Sequence, residues 1–130
     1  MKKSLLLIML SFLLTAGCKK EAELPTPVEP SLEDLVIQNC YIVRDAAEAF
    51  AVQNGRYPSL VDEFASLLPN GEMLENPFQG YRTEPIDGPA SFPGETGYQV
   101  ARDGSGNTGY GISGYGESDI IITLSKQPGQ

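Results

Sequence analysis

The sequence predicts an α+β fold in which a long N-terminal amphipathic helix and a short second helix pack on a small antiparallel sheet of about three strands. Three observations carry this. Apolar residues recur at helical spacing from Leu32 to Phe50, a second cluster at Leu60, Phe64, Leu67 and Leu68 repeats that spacing, and three late runs read as strands. A chain of 130 residues with 41% apolar content makes one small domain.

The chain opens with a segment of a different kind. Met1-Lys2-Lys3 is basic, Ser4 to Leu14 is an apolar core, and Thr15-Ala16-Gly17 are small residues of the kind a signal peptidase accepts. Crossing a bilayer as a helix takes about 20 apolar residues, and Gly17, Cys18 and two lysines close this run well before that. The stretch "LTAGC" resembles the lipobox of bacterial lipoproteins. The resemblance implies cleavage after Gly17, a diacylglycerol thioether on Cys18 and an acyl chain such as palmitate on the new amino terminus; an ordinary secretory signal with an incidental cysteine is the alternative. Several chains matter because one chain alone binds a membrane only marginally. Lys19 follows the cysteine, and a non-acidic residue there favours the outer membrane where a cell has two. The chain then divides into a signal peptide at 1–17, a lipidated cysteine and tether at 18–30, a globular domain at 31–126 and a tail at 127–130. The tether, "KKEAELPTPVEP", is charged, proline-rich and aperiodic, with an extended reach of about 35 to 40 Å.

Charge and composition exclude several function classes. Seventeen acidic residues face nine basic ones for a formal net charge of −8, and loss of Lys2 and Lys3 with the signal takes this to −10. Nucleic acid is not an expected partner, since phosphate binding needs clustered Lys and Arg. The same repulsion weakens non-specific adhesion to anionic lipid. With Cys18 lipidated, Cys40 stands alone and reads as a small buried apolar residue. The chain has no histidine, so a thiol lacks its usual base, Ser-His-Asp chemistry is ruled out and the commonest zinc ligand is missing. Glu33-Asp34 and Asp62-Glu63 sit at helix starts, where carboxylates serve the dipole and stay solvated. "GSGNTGYG" lacks the Gly-Lys-Ser/Thr of a phosphate loop. No catalytic residues, and no small-molecule substrate, are expected.

Each folded element follows from local signals. Ser31, before Glu33 and Asp34, caps the first helix, and Leu32, Leu35, Val36, Cys40, Val43, Ala46, Ala47 and Phe50 line one face. Asn54-Gly55 stops it, giving roughly 22 residues and about 33 Å. Ile37 and Tyr41 lie one turn apart on the face opposite this stripe. They are candidates for partner contact, unless later loops cover them or they are isolated surface apolars. Ser59 then caps a short helix through Leu68, and "PNG" at Pro69 to Gly71 ends it. Glu72 to Thr96 reads as an ordered loop around "ENPFQGY", holding Phe78 and Tyr81 in the core. Strands follow at Gly97 to Ala101, Thr108 to Gly116 and Asp119 to Ser125, joined by "RDGSGN" and a tight turn at Glu117-Ser118 as an antiparallel meander.

The order of "FAVQNGRYPS", "NPF", "GYQV" and "GYGISGYGE" resembles the globular domain of type IV pilin-like proteins, in particular the major pseudopilin of type II secretion, over about Leu35 to Leu124. The family implies a long helix packed on an antiparallel sheet. It also implies a short basic leader and about 20 apolar residues that build a filament core; a lipobox and tether stand in their place, so filament assembly by the usual packing is not expected. Pseudopilins of this type hold calcium near their terminal strands. Asp103, Asn107, Glu117 and Asp119 are the candidate ligands here, with turn-forming roles as the simpler alternative for "DGSGN". Two functional expectations follow. One is a lipid-anchored, non-catalytic pseudopilin-like envelope protein that contacts type II secretion or type IV pilus-like machinery. The other is a structural or surface lipoprotein with no secretion role.

Overall fold

The computed structural model describes residues 28–129. The lipidation and cleavage candidates Cys18 and Gly17, and the signal and tether up to residue 27, lie outside the described residues. A helix, α1, runs over Leu32–Asn54. Ser31 Oγ accepts from the Asp34 N–H at 3.0 Å, and the Asp34 carboxylate accepts in return from the Ser31 N–H at 3.0 Å. This reciprocal cap satisfies two donors that the first turn otherwise leaves orphaned, worth about 1 kcal/mol. At the other end Gly55 adopts φ 74°, and its N–H donates to the Ala51 carbonyl at 2.8 Å. A left-handed residue there closes the helix at little cost only as glycine.

The fold class expected from the sequence is corrected on three counts. First, α1 is the only α-helix among the described residues: the expected second helix is three 3-10 turns, at Val61–Glu63, Ala65–Leu67 and Pro69–Gly71. Phe64 breaks the helical backbone between the first two at φ −119° and ψ 4°, and Leu68, Asn70 and Gly71 do so at the third. Leu60 is exposed, whereas Val61, Phe64 and Leu68 are buried. The Val61 N–H is held by Asp87 Oδ1 at 2.8 Å, so no Ser59 cap starts a helix. Second, the segment read as loop contains three short strands. β1 (Leu74–Glu75) and β2 (Arg82–Glu84) form a separate antiparallel pair, and β3 (Ile86–Asp87) joins the main sheet. Third, that sheet has four strands, not about three, and is mixed. β4 (Thr96–Asp103), β5 (Gly106–Tyr115) and β6 (Ile120–Lys126) form an antiparallel meander, while β3 pairs parallel to β4, giving the order β3-β4-β5-β6.

α1 lies across the sheet against β4, β5 and β6, antiparallel to β5. Gly114 lets it close in: a Cβ there would sit 2.8 Å from Val36 Cγ1, Cys40 Sγ and Ile122 Cγ2. Cys40, Val43, Ala47 and Phe50 meet Tyr98, Tyr110 and Ile112 in the core, with Tyr57, Phe64 and Leu68 closing it from the side. The aromatic rings pack edge to face, Phe64 on Tyr98 at 5.0 Å and Tyr57 on Tyr110 at 5.1 Å. Each of the three tyrosine hydroxyls finds an acceptor: Tyr98 donates to the Pro58 carbonyl at 2.8 Å, and Tyr57 and Tyr110 both donate to Glu48.

The "NPF" stretch is organised by its asparagine. Asn76 Oδ1 accepts from the Phe78 and Gln79 N–H groups at 2.9 and 3.0 Å, and Nδ2 donates to the Pro93 carbonyl at 3.1 Å. This turn leaves Phe78 half-buried and Tyr81 69% exposed, which corrects the expectation that Tyr81 enters the core. Beside it Glu84 is buried, accepting from the Thr96 N–H and the Thr83 hydroxyl, each at 2.8 Å. Burial pushes its carboxyl above the ordinary carboxylate range, and these hydrogen bonds pull against that shift.

Candidate interaction surface

The two flanks of α1 have different fates. Asn39, Ile42, Ala46 and Ala49 lie on one flank, which residues 65–77 cover: Asn39 Nδ2 donates to the Glu75 carbonyl at 2.9 Å, and Leu67 and Pro69 wall a shallow groove over Ile42, Ala46 and Ala49. Helical spacing puts Glu33, Ile37, Arg44 and Glu48 on the other flank, with Tyr41 at its outer margin. This flank faces β6, because the segment on the β4 side occupies the first.

The β6-side flank is pinned at both ends. Near the helix start, Glu33 Oε2 accepts from the Glu117 N–H at 3.0 Å. Four turns on, Glu48 accepts from the Tyr57 and Tyr110 hydroxyls at 2.9 and 2.8 Å. Both tyrosines thereby fasten the helix to the sheet, and burial with the neighbouring carboxylate pushes the Tyr110 hydroxyl well above its usual range. Between the pins, Ile37 is half-buried and Tyr41 stays 41% exposed. The Arg44 guanidinium sits 4.8 Å above the Tyr41 ring and pairs with Asp45 at 3.2 Å. The loops that could have covered Ile37 and Tyr41 pack on the opposite flank instead.

Next to this flank lies β6, "IIITLSK", which pairs only with β5 among the described residues. Alternate N–H and C=O groups along it therefore point away from the sheet, unpaired. Natural edge strands are usually blunted by charge, proline or a bulge. Here Lys126, at the far end, is the one charged side chain in the strand, and Pro128 comes after it. The bulge opposite Tyr115 touches only the start. Ile122 and Leu124 pack on the core from partly buried positions facing the helix, and Thr123 is exposed on the outer face. A last strand in a meander is an edge by default, and whether it is covered depends on the tertiary structure.

The candidate calcium ligands are not brought together. Asp103 and Asn107 sit at the β4–β5 turn, and Glu117 and Asp119 follow the far end of β5, whose ten residues separate the pairs by about 30 Å. Three of the four side chains make other hydrogen bonds. Asp103 Oδ1 accepts from the Ser105 N–H at 2.7 Å, and Asp119 Oδ1 accepts from the Ile120 N–H at 2.7 Å. Asn107 Nδ2 donates to Ser59 Oγ and the Tyr57 carbonyl while Oδ1 accepts from Arg102. Among the described residues no group of three or more acidic or sulfur side chains is placed to hold a metal.

Two other features bear on chemistry. Cys40 is fully buried, and desolvation pushes its thiol up to about 11, which keeps it protonated and unreactive at neutral pH. A cleft beside Tyr57 presents Arg56, which is paired, and Lys126, whose ammonium rests by an aromatic ring and not on a carboxylate of the described residues. Arg56 pairs with Glu63 through two hydrogen bonds at 3.1 and 3.2 Å, and Lys126 lies 5.5 Å from the Tyr57 ring centroid. The surface made by the β6 edge with Ile37 and Tyr41 is the feature that can bind something. A scan against protein-family models finds no match to the chain, and searches of curated proteins and of solved structures find none.

Proposed function

We propose that the chain is a lipid-anchored, non-catalytic interaction module of the bacterial cell envelope, a relative of the pseudopilins that serves a type II secretion or type IV pilus-like machine. The observation that carries this reading is the open β6 edge beside half-buried Ile37 and the 41% exposed Tyr41. The lipobox-like "LTAGC" supports the anchor at Cys18, and the order of "NGRYPS", "NPF" and "GYGISGYG" supports the kinship. In-cell cross-linking of the membrane-bound chain tests the proposal, with captured proteins identified by mass spectrometry against a Cys18→Ser control. Enrichment of secretion or pilus subunits by the anchored chain alone is the expected result. Capture of only unrelated envelope components would favour a structural lipoprotein instead.

A further inference from the structure

We infer that the occupant of the β6 edge is a second copy of this chain, added antiparallel so that two four-stranded sheets become one continuous sheet. This rests on reading the surface as a contact site and names what fills it. The register follows from the pleat. Directly opposed residues of an antiparallel pair share a face, so a two-fold axis normal to the sheet keeps both α1 helices on one side and matches residues of like parity. Centring the axis on Thr123 pairs Ile122, Thr123 and Leu124 directly, up to the bulge at Ile121. On the helix side, Ile122 of each copy then faces Leu124 of the other, extending two partly buried apolar positions into a shared core. On the outer side Thr123 meets Thr123, a favourable cross-strand pair.

Charge complementarity selects the same arrangement. One end of β6 carries Lys126, and the other carries exposed Glu117 and Asp119 with the Glu33 carboxylate beside them. Antiparallel addition brings the basic end of each copy to the acidic end of the other. The described residues carry fifteen acidic side chains and five basic ones, so the copies also repel at long range. That repulsion is screened beyond about 8 Å at physiological ionic strength, whereas the end-to-end attractions are local.

The same geometry accounts for Ile37 and Tyr41. The two β5 strands would stand three strand spacings apart, about 14 Å. α1 sits over β5 and leans toward β6, so the two helices stand somewhat closer than this, and Ile37 and Tyr41 from each copy fill the gap between them. One occupant thus covers both the edge and the helix flank.

Thr123→Cys in the full-length, membrane-bound chain tests the inference on a non-reducing gel. Thr123 is exposed and Cys40 is buried, so the new thiol neither disturbs the core nor pairs within the chain. In this register the two Cα atoms at position 123 lie about 5 Å apart, within disulfide reach, while those at 125 lie more than about 12 Å apart. Near-complete disulfide dimer from Thr123→Cys and none from Ser125→Cys are expected. Absence of dimer at Thr123→Cys, or equal dimer at Ser125→Cys, overturns the inference. If that happens while other envelope proteins still cross-link to the anchored chain, the occupant is one of those proteins and the proposed function stands. If neither dimer nor partner is found, both readings fall.

Discussion

Replacing Gly114 by alanine tests how closely α1 packs on the sheet, and Gly111 in the same strand supplies its control. A Cβ at 114 would lie 2.8 Å from Val36 Cγ1, Cys40 Sγ and Ile122 Cγ2. Carbon contacts settle near 3.5 to 4.0 Å, so three side chains on α1 and β6 would each have to withdraw by roughly 1 Å. Overpacking of this kind costs about 1 to 3 kcal/mol, offset by about 0.5 to 1 kcal/mol from the reduced freedom of the unfolded chain. The net loss is then about 1 to 2 kcal/mol, a fall in melting temperature of about 5 to 15 °C for a domain of this size. At Gly111 the nearest atom to a new Cβ is Gln99 Cγ at 3.8 Å, an ordinary contact on the outer face. Gly111→Ala should therefore leave stability unchanged or raise it by about 0.5 kcal/mol. Thermal unfolding followed by circular dichroism measures both. Equal melting temperatures for the two variants, or a more stable Gly114→Ala, would refute the close approach of helix and sheet.

Glu84→Gln should change how stability depends on pH. Burial raises the native Glu84 carboxyl, so the folded chain holds its proton to higher pH than the unfolded chain; the resulting stability is complete below the ordinary carboxylate value of 4.5 and is lost as pH rises through the native one. The melting temperature of Glu84→Gln relative to wild type should therefore climb with pH above that value, and a flat difference would contradict the buried charge. Ser31→Ala removes one half of the capping pair and should cost about 1 kcal/mol, read as a lower urea midpoint at unchanged slope. Ile37→Ser with Tyr41→Ser should abolish contact with other chains in cross-linking while lowering stability by no more than about 1 kcal/mol, since neither residue is fully buried. A loss of several kcal/mol on unfolding would instead assign both residues to the domain's own core.

What could be read from the sequence was local. The signals at Ser31 and Asn54-Gly55 stand where α1 begins and ends, because capping is chemistry between neighbours in the chain. The spacing of Phe64 and Leu68 led to a helix where the chain makes 3-10 turns; both side chains do face inward, but Asp87, 26 residues on, holds the turn that starts the segment. β1, β2 and β3 have two or three residues each, too few for a period, and they exist through Asn76, Glu84 and pairing with β4. The proposed surface was half legible. Ile37 and Tyr41 stood out as apolar residues off the main stripe, but which flank the loops would cover depended on Asn39 reaching Glu75 across 36 positions. Asp103 and Asn107 looked close to Glu117 and Asp119 in sequence, and a ten-residue strand holds the two pairs apart.

The most direct test of the account is a photo-activated cross-linking residue placed at Tyr41 in the anchored chain, with the same residue at Tyr81 as control. Tyr81 is more exposed than Tyr41 but sits on the β1–β2 turn, away from the β6 edge. Discrete adducts from position 41, lost with Cys18→Ser and absent from position 81, are the predicted result. Adducts no more specific at 41 than at 81 would contradict the claim that α1 and β6 together form the contact surface.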